Sequence, residues 1–413
     1  MKARKLISSA LALSVLLLAS ARTGIANKDD MVLKTPIPVT TQNAKGLPLD
    51  EEGKKMLEFE MQSGDAIADS VKEFFGGDEA VGDYGEIFMD SKNGKVIIYL
   101  AKEDKKTNEL KKMLKAKFPE TKFQIKKAKY SRKQLVAKQD ELTNRLISLG
   151  YKNFGLGADT INDTLILEIY NLDPSLEAAL IKEFGNDLVI KHLKEDKSPF
   201  LLSRTADYGT LGGGIAINQS GCSTTAIAQK NGLSYILTAG HCVELVGSPA
   251  WQNNTAIGTV TDSKFSSGLD AGLIKITSQR YISNYFFNKA ESLTNYDSRH
   301  SGVGTSNVGD LVCKAGIKTG ATCGNVTMLN DKLVQNGITY NNLIRITRYN
   351  TTYTMSGGGD SGGIIFKASD NKLLGIISGS NTPADYVAGT KIQDAMSSLG
   401  VSIYSSDTSL LVN

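Results

Sequence analysis

Ser356-Gly357-Gly358-Gly359-Asp360-Ser361-Gly362-Gly363 sets Ser361 among five glycines. A serine in such surroundings can be approached closely by another backbone. The glycines also permit turns in which consecutive N–H groups point at one spot, as the stabilisation of a developing oxyanion requires. The bland alternative is a flexible glycine-rich loop, and what decides between them is whether a base and an orienting acid accompany the serine.

A serine nucleophile ordinarily needs a histidine base, and the chain has three: His192, His241 and His300. Gly359, Ser361 and Gly363 also satisfy the G-x-S-x-G elbow of α/β-hydrolases, but that fold puts its histidine after the serine, and none follows Ser361 here. His192 lies in a charged stretch, and His300 sits in the loop Asp297-Ser298-Arg299-His300-Ser301, where a surface position is expected. His241 instead ends an apolar run, Tyr235-Ile236-Leu237-Thr238-Ala239-Gly240-His241-Cys242. Eight acidic residues lie between His241 and Ser361. Asp270 leads because it precedes the apolar strand Ala271-Gly272-Leu273-Ile274-Lys275-Ile276; Asp262 is second, and Asp360 adjoins the serine too closely to reach the histidine. The order His, Asp, Ser is that of chymotrypsin, whereas a subtilisin order needs an Asp before the His.

Outward from these blocks the chain divides. Of its 413 residues, 59 of the 178 from 28 to 205 are charged, against 27 of the 208 from 206 onward, while 27 of the 40 glycines and all four cysteines fall in the second part. The formal charge of +4 comes wholly from Lys2, Arg4, Lys5 and Arg22. They flank a 16-residue apolar run from Leu6 to Ala21, which is short of the roughly 20 residues that span a bilayer. With Ala19-Ser20-Ala21 at its end it reads as a secretory signal peptide, residues 1 to 21 with cleavage there or as late as residue 26. The remainder is neutral, so nothing in its charge suggests nucleic acid or a membrane surface as partner.

Residues 28 to 205 read as α+β with a weak repeat: Asn93-Gly94 and Asn162-Asp163 each enter an apolar strand followed by a helix and another strand. Ser131 and Gln134 form a capping box, and Leu135, Leu142, Leu146 and Leu149 share a helix face. The simplest arrangement is two small sheets, each packed on a helix. Residues 206 to 413 read as all-β with one short helix near Asp394 to Leu399. Four cysteines in an exported chain allow three disulfide connectivities, of which the local one joins Cys222 to Cys242 and Cys313 to Cys323. A metal site is the alternative, poorly served by the spacing and by having only His241 nearby.

Leu-Thr-Ala-Gly-His-Cys at 237 to 242 and Gly-Asp-Ser-Gly-Gly at 359 to 363 resemble the two signature blocks of chymotrypsin-fold serine peptidases. Gly213-Gly214-Ile215 before Cys222, and the segment from Cys313 to Gly324, resemble the secreted bacterial branch of α-lytic protease and the streptogrisins. The resemblance covers most of residues 210 to 381. It implies an all-β double Greek-key barrel as the catalytic domain, preceded by an α+β pro-region that assists folding and inhibits the product, with maturation near Arg204 to Tyr208. It further implies a secreted, monomeric endopeptidase acting on protein or peptide substrates, without cofactor or metal. Ser361 is then the nucleophile, His241 the base and Asp270 its orienting acid, with the backbone N–H groups of Gly359 and Ser361 as oxyanion hole.

By the same resemblance the primary pocket is lined by Met355, Ser356, Ile377, Ser378, Gly379 and Ser380. Met355 and Ile377 suit a small or medium apolar residue. Ser356 and Ser380 suit a glutamate instead, although Ile377 replaces the histidine that supports such a pocket. Two departures stand out: Ser380 replaces a usual glycine, and there are no cysteines for a third disulfide. An inactive binding module and a serine esterase are the readings from other classes.

Overall fold

Asn93-Gly94 and Asn162-Asp163 each close a tight hairpin, with Gly94 and Asp163 at positive φ (64° and 55°). The first joins Gly85–Asp90 to Lys95–Leu100 and the second Phe154–Asp159 to Thr164–Ile169. After each hairpin a helix, Lys105–Lys117 or Pro174–Phe184, carries the chain back to a third strand, Phe123–Lys127 or Leu188–His192. That third strand runs parallel to the second. The repeat is therefore structural, and the strand opening each unit is the part its sequence leaves unmarked.

Cap chemistry starts the helices. Asp104 and Thr107 cap one reciprocally, Ser131 and Gln134 the helix Arg132–Ser148, and Asp173 precedes Pro174 at a first turn. Leu135, Leu142 and Leu146 are buried, whereas Leu149, beyond the helix end, is 54% exposed.

The structure, a computed structural model, describes residues 47–193, 204–217, 221–288, 296–380 and 384–412. The segment expected to be an export signal, residues 1 to 21, lies outside them. From Thr210 strands dominate the regular structure, with one α-helix, Ile392–Leu399, among the described residues. Six strands form one sheet in the order Pro249–Gln252, Thr255–Ser263, Gly272–Ile276, Leu233–Thr238, Ala226–Lys230, Ser402–Ile403. Its inward face buries Ile227, Ile236, Val260 and Ile274. A second sheet buries Val312, Ile344, Ile365 and Ile377, and Leu237, Leu273, Phe286, Phe366 and Ile376 belong to a further core cluster that also takes in Met56 and Leu57 of the helix Glu51–Phe59.

Two separate sheets in the N-terminal half are not what forms. Gly85–Asp90, Lys95–Leu100 and Phe123–Lys127 make a three-stranded sheet, but the second unit extends the C-terminal sheet to nine strands. The junction is antiparallel pairing of Lys332, Leu333 and Val334 with Leu156, Gly155 and Phe154. Lys332 to Val334 belong to a long hairpin, Gly320–Gln335 with Ile338–Thr347, turned at Asn336-Gly337. Each partner brings an edge whose backbone groups need hydrogen bonds, and each satisfies the other.

Charge is also buried where the halves meet. Glu60 follows Glu51–Phe59 and is fully buried; its Oε1 accepts from Ser91 Oγ (2.6 Å) and from Leu311 N (2.8 Å). Nearby, Lys367 pairs with Asp65 at 2.6 Å and with Asp310 at 3.1 Å. Burial, with Asp310 beside it, pushes the Glu60 carboxyl up to about 8 against the lowering effect of Ser91, Lys367 and the Leu311 N–H.

Between pH 4.5, the ordinary value, and about 8 an undocked Glu60 is ionised while the docked one keeps its proton. Docking therefore weakens as pH rises through that window, by about 1.4 kcal/mol per pH unit at most. Urea unfolding of the full chain at pH 5 and pH 8 checks this: Glu60→Gln should remove most of the difference between the two midpoints.

Candidate active site

Leu233–Thr238 and Gly272–Ile276 are antiparallel neighbours, with Thr238 opposite Gly272. The chain leaving one strand and the chain entering the other therefore share an end of the sheet, and His241 meets Asp270 there. Asp270 is 3% exposed. Its Oδ1 accepts from the backbone N of His241 at 2.9 Å, and its Oδ1 and Oδ2 lie 3.0 and 2.9 Å from Nδ1. Burial disfavours the imidazolium, but the hydrogen bond and charge of Asp270, with Glu244 behind, outweigh it and hold the His241 pKa above its ordinary 6.5. Asp262, the second candidate from sequence, instead sits opposite Leu273 in the strand Thr255–Ser263.

The glycine-rich loop is pinned from both sides. Ser223 N donates to Ser361 O (2.7 Å), Ser223 Oγ to Gly359 O (2.8 Å), Thr225 Oγ1 to Gly362 O (2.6 Å), and Gly362 N to Ile377 O (2.7 Å). Gly362 has φ +79°, and a Cβ there would fall 2.2 Å from Thr238 Oγ1. The loop thus lies against the strand that delivers His241, at a distance only glycine allows. Among the described residues the backbone N–H groups of Gly359 and Ser361 donate to no acceptor, and no hydrogen bond joins the Ser361 hydroxyl to His241.

Ser378, Gly379 and Ser380 line a cavity of about 700 Å³ together with His241, Asp270, Phe265 and Tyr340. Asn153, Phe154, Gly155, Glu168, Tyr170 and Leu193 of the N-terminal half also line it. Of the other residues assigned to the pocket by resemblance, Met355 and Ile377 are buried in the core of the second sheet. Ser356 is buried with its hydroxyl 3.4 Å from Asp360 Oδ2. Both local disulfides form, Cys222–Cys242 and Cys313–Cys323. Cys222, His241 and Cys242 come together, but the bonded sulfurs offer no thiolate to a metal.

His192 is exposed, with Nε2 3.2 Å from Glu177 Oε1. His300, expected at the surface, is 1% exposed, and burial pushes its pKa down to about 4. Its loop is drawn in because His300 N donates to Asn284 O and Asn284 Nδ2 to His300 O.

The residue that sequence reasoning missed is Lys314. It is fully buried and lies 2.9 Å from Asp360 Oδ2, itself fully buried. Thr319 Oγ1, the backbone N of Lys318, Thr319 and Gly357, and Ser356 Oγ also reach that carboxylate. Burial raises the Asp360 pKa, but Lys314 and Thr319 outweigh it and hold the carboxyl below its ordinary value. A lone lysine in the apolar strand Leu311–Gly316 was the available signal, since a cation there requires a buried anion.

Residues 212–396 match the family described as Trypsin. Serine protease 1 of Streptomyces fradiae is 30% identical over 207 residues, which cover 46% of this chain and 52% of the relative. Streptogrisin-D of Streptomyces griseus is 34% identical over 189 residues, 43% of this chain and 44% of the relative. The chain thus spans about half the length of these two relatives. Glutamyl endopeptidase 2 of Streptomyces griseus is 30% identical over 199 residues, 47% of this chain but 98% of the relative. Among solved structures, the Nocardiopsis protease NAPase is 25% identical with a TM-score of 0.41, covering 47% of this chain and 98% of that one. A relative matched over nearly its whole length, and a family match that takes in both His241 and Ser361, make this chain a member of the trypsin family, the chymotrypsin-fold serine proteases.

Proposed function

We propose that the chain is the precursor of a secreted serine endopeptidase in which Ser361 attacks a peptide carbonyl, His241 acts as general base and then acid, and Asp270 holds the imidazole in the required tautomer. The observations that support this reading are a buried Asp270 bonded to His241 Nδ1, and the backbone N–H groups of Gly359 and Ser361, which have no acceptor among the described residues. Two backbone N–H groups left open beside a serine suit a transient negative charge. The absent bond between Ser361 and His241 is compatible with this, because such contacts often tighten only around substrate.

Residues 28 to 205 are read as a pro-region, residues 1 to 21 as an export signal, and 206 to 413 as the peptidase, working as a monomer on protein or peptide substrates. Two features support the pro-region assignment. The N-terminal half extends the second sheet backbone to backbone, and its residues wall the cavity that contains His241. A strand-rich chain with many non-local contacts folds slowly, and a preformed edge at Phe154–Asp159 offers a template for the hairpin. Among the described residues no helix is long and apolar enough to cross a membrane.

Full-length precursor and its Ser361→Ala variant, compared on casein and on self-processing, test the reading: the variant should do neither, and equal activity of the two would defeat it. Asp270→Asn should lower kcat by about 10⁴-fold by favouring the wrong tautomer. In the wild type, kcat/KM should fall on acidification through a pKa above 6.5, the ordinary value for the His241 imidazole. Lys314→Met, which strands Asp360 beneath the serine loop, should lower the unfolding free energy by about 3 to 5 kcal/mol, with partial recovery in Lys314→Met/Asp360→Asn; urea titration reads both. Residues 206 to 413 refolded alone should regain little activity, and adding 28 to 205 in trans should restore it.

A further inference from the structure

A row of charged side chains crosses the extended sheet next to the catalytic cleft. Arg345 stands opposite Ala388, Leu333 opposite Gly155, Gly155 opposite Glu168, and Glu168 opposite Lys191. The Arg345 guanidinium holds Asp331 through Nε at 2.7 Å and Nη2 at 3.0 Å. Nη2 also reaches Glu168 Oε2 at 2.8 Å. Gly155 lies beside this pair: a Cβ there would be 3.5 Å from Glu168 Oε2 and 3.8 Å from Arg345 Nη2, ordinary contact distances. Tyr386 completes the arrangement: its ring lies 4.0 Å from the guanidinium, and its hydroxyl donates to the same Glu168 Oε2 at 2.7 Å. Arg345, Asp331 and Glu168 are all nearly inaccessible to water.

The ownership of these groups is uneven. Arg345, Asp331 and Tyr386 belong to the peptidase half, while the carboxylate that Arg345 and Tyr386 share is lent by the N-terminal half. Glu168 and Tyr386 line the same cavity as His241 and Ser378, Gly379 and Ser380, and Tyr386 is next to Val387, the partner of Ser380. In the peptidase half alone Arg345 retains one anion, Asp331, and an N–H and an O–H converge on the point Glu168 Oε2 had occupied. A carboxylate is the ligand that answers two such donors, one of them charged. Polar groups arranged for a hydrogen-bonding ligand also discriminate strongly against an isostere that cannot answer them.

We propose that, after the N-terminal half is released, Arg345 and Tyr386 form a carboxylate subsite beside Ser378, Gly379 and Ser380, and that the enzyme prefers peptides with an acidic side chain before the scissile bond. Glu168 stands in for that side chain in the precursor. The subsite does not use a histidine: Ile377 is buried in the core, and the charge comes from a neighbouring strand. This inference rests on the peptidase reading above.

The test uses processed enzyme and paired quenched peptides identical except for Glu or Gln before the scissile bond. Glu should be preferred by about 10-fold or more in kcat/KM, the range of a hydrogen bond to a charged group. Tyr386→Phe should shrink that Glu-to-Gln ratio several-fold while cleavage of the Gln peptide changes less, and Arg345→Lys, which keeps the charge but not the fork, should also shrink it. Equal cleavage of both peptides by the wild type, or an unaltered ratio in a folded Tyr386→Phe, would overturn the subsite. If a variant fails to fold, the wild-type ratio alone decides. Cleavage of neither peptide would overturn the peptidase reading and the subsite together.

Discussion

Three residues of backbone pairing, Phe154 to Leu156 against Lys332 to Val334, determine how the two halves of this chain relate. Side-chain contacts between domains can slide, but a strand ladder cannot slip by one residue without turning every side chain to the opposite face. The register fixed there sets Gly155 opposite Leu333, which puts Glu168 against the guanidinium of Arg345 and sets the strands of the second unit along the cavity. Gly157 belongs to the same constraint, since a Cβ there would fall within 2.1 Å of Met328 Sδ.

Around that ladder the interface buries ionisable groups where an ordinary core would place leucine. Glu60, Asp65, Asp310 and Lys367 gather at one place, and Glu168, Asp331 and Arg345 at another. Such groups add little net stability compared with apolar packing, but they are intolerant of being separated from their partners. They give the docked state a defined geometry and a sensitivity to pH that an apolar interface lacks. The catalytic half treats its own centre differently. Lys314 and Asp360 neutralise each other wholly within it, so the loop carrying Ser361 is held by charges that do not depend on the N-terminal half.

The pairing of His241 with Asp270 was legible in the sequence because the chemistry proposed for it needs rare residues in a restricted order. With three histidines and one glycine-flanked serine, elimination leads to His241, and the strand after Asp270 points to the acid that the structure sets against it. The paired repeat of the N-terminal half was legible for a similar reason, since Asn-Gly and Asn-Asp mark turns locally. What was not legible involves partners far apart in the chain. Lys314 finds Asp360, Glu60 finds Leu311, and Phe154 finds Val334. Local pattern registers that a charge or an edge exists, and only the fold says what meets it. His300 illustrates the converse: polar neighbours in sequence suggested solvent, and the hydrogen bonds to Asn284 bury it.

The long hairpin carries a liability that its docked state conceals. On the proposed release of the N-terminal half, Lys332 to Val334 would become a bare strand edge, and unsatisfied edges recruit strands from other molecules of the same protein. Lys332 is one of those three residues, and its ammonium now rests on Asp140 and Asn341. Freed from Asp140, it would place an unpaired positive charge on the exposed ladder, the usual defence against edge-to-edge association. On the proposed release of the N-terminal half, the residue that helps hold the two halves together is thus also the one fitted to keep the released peptidase molecules apart.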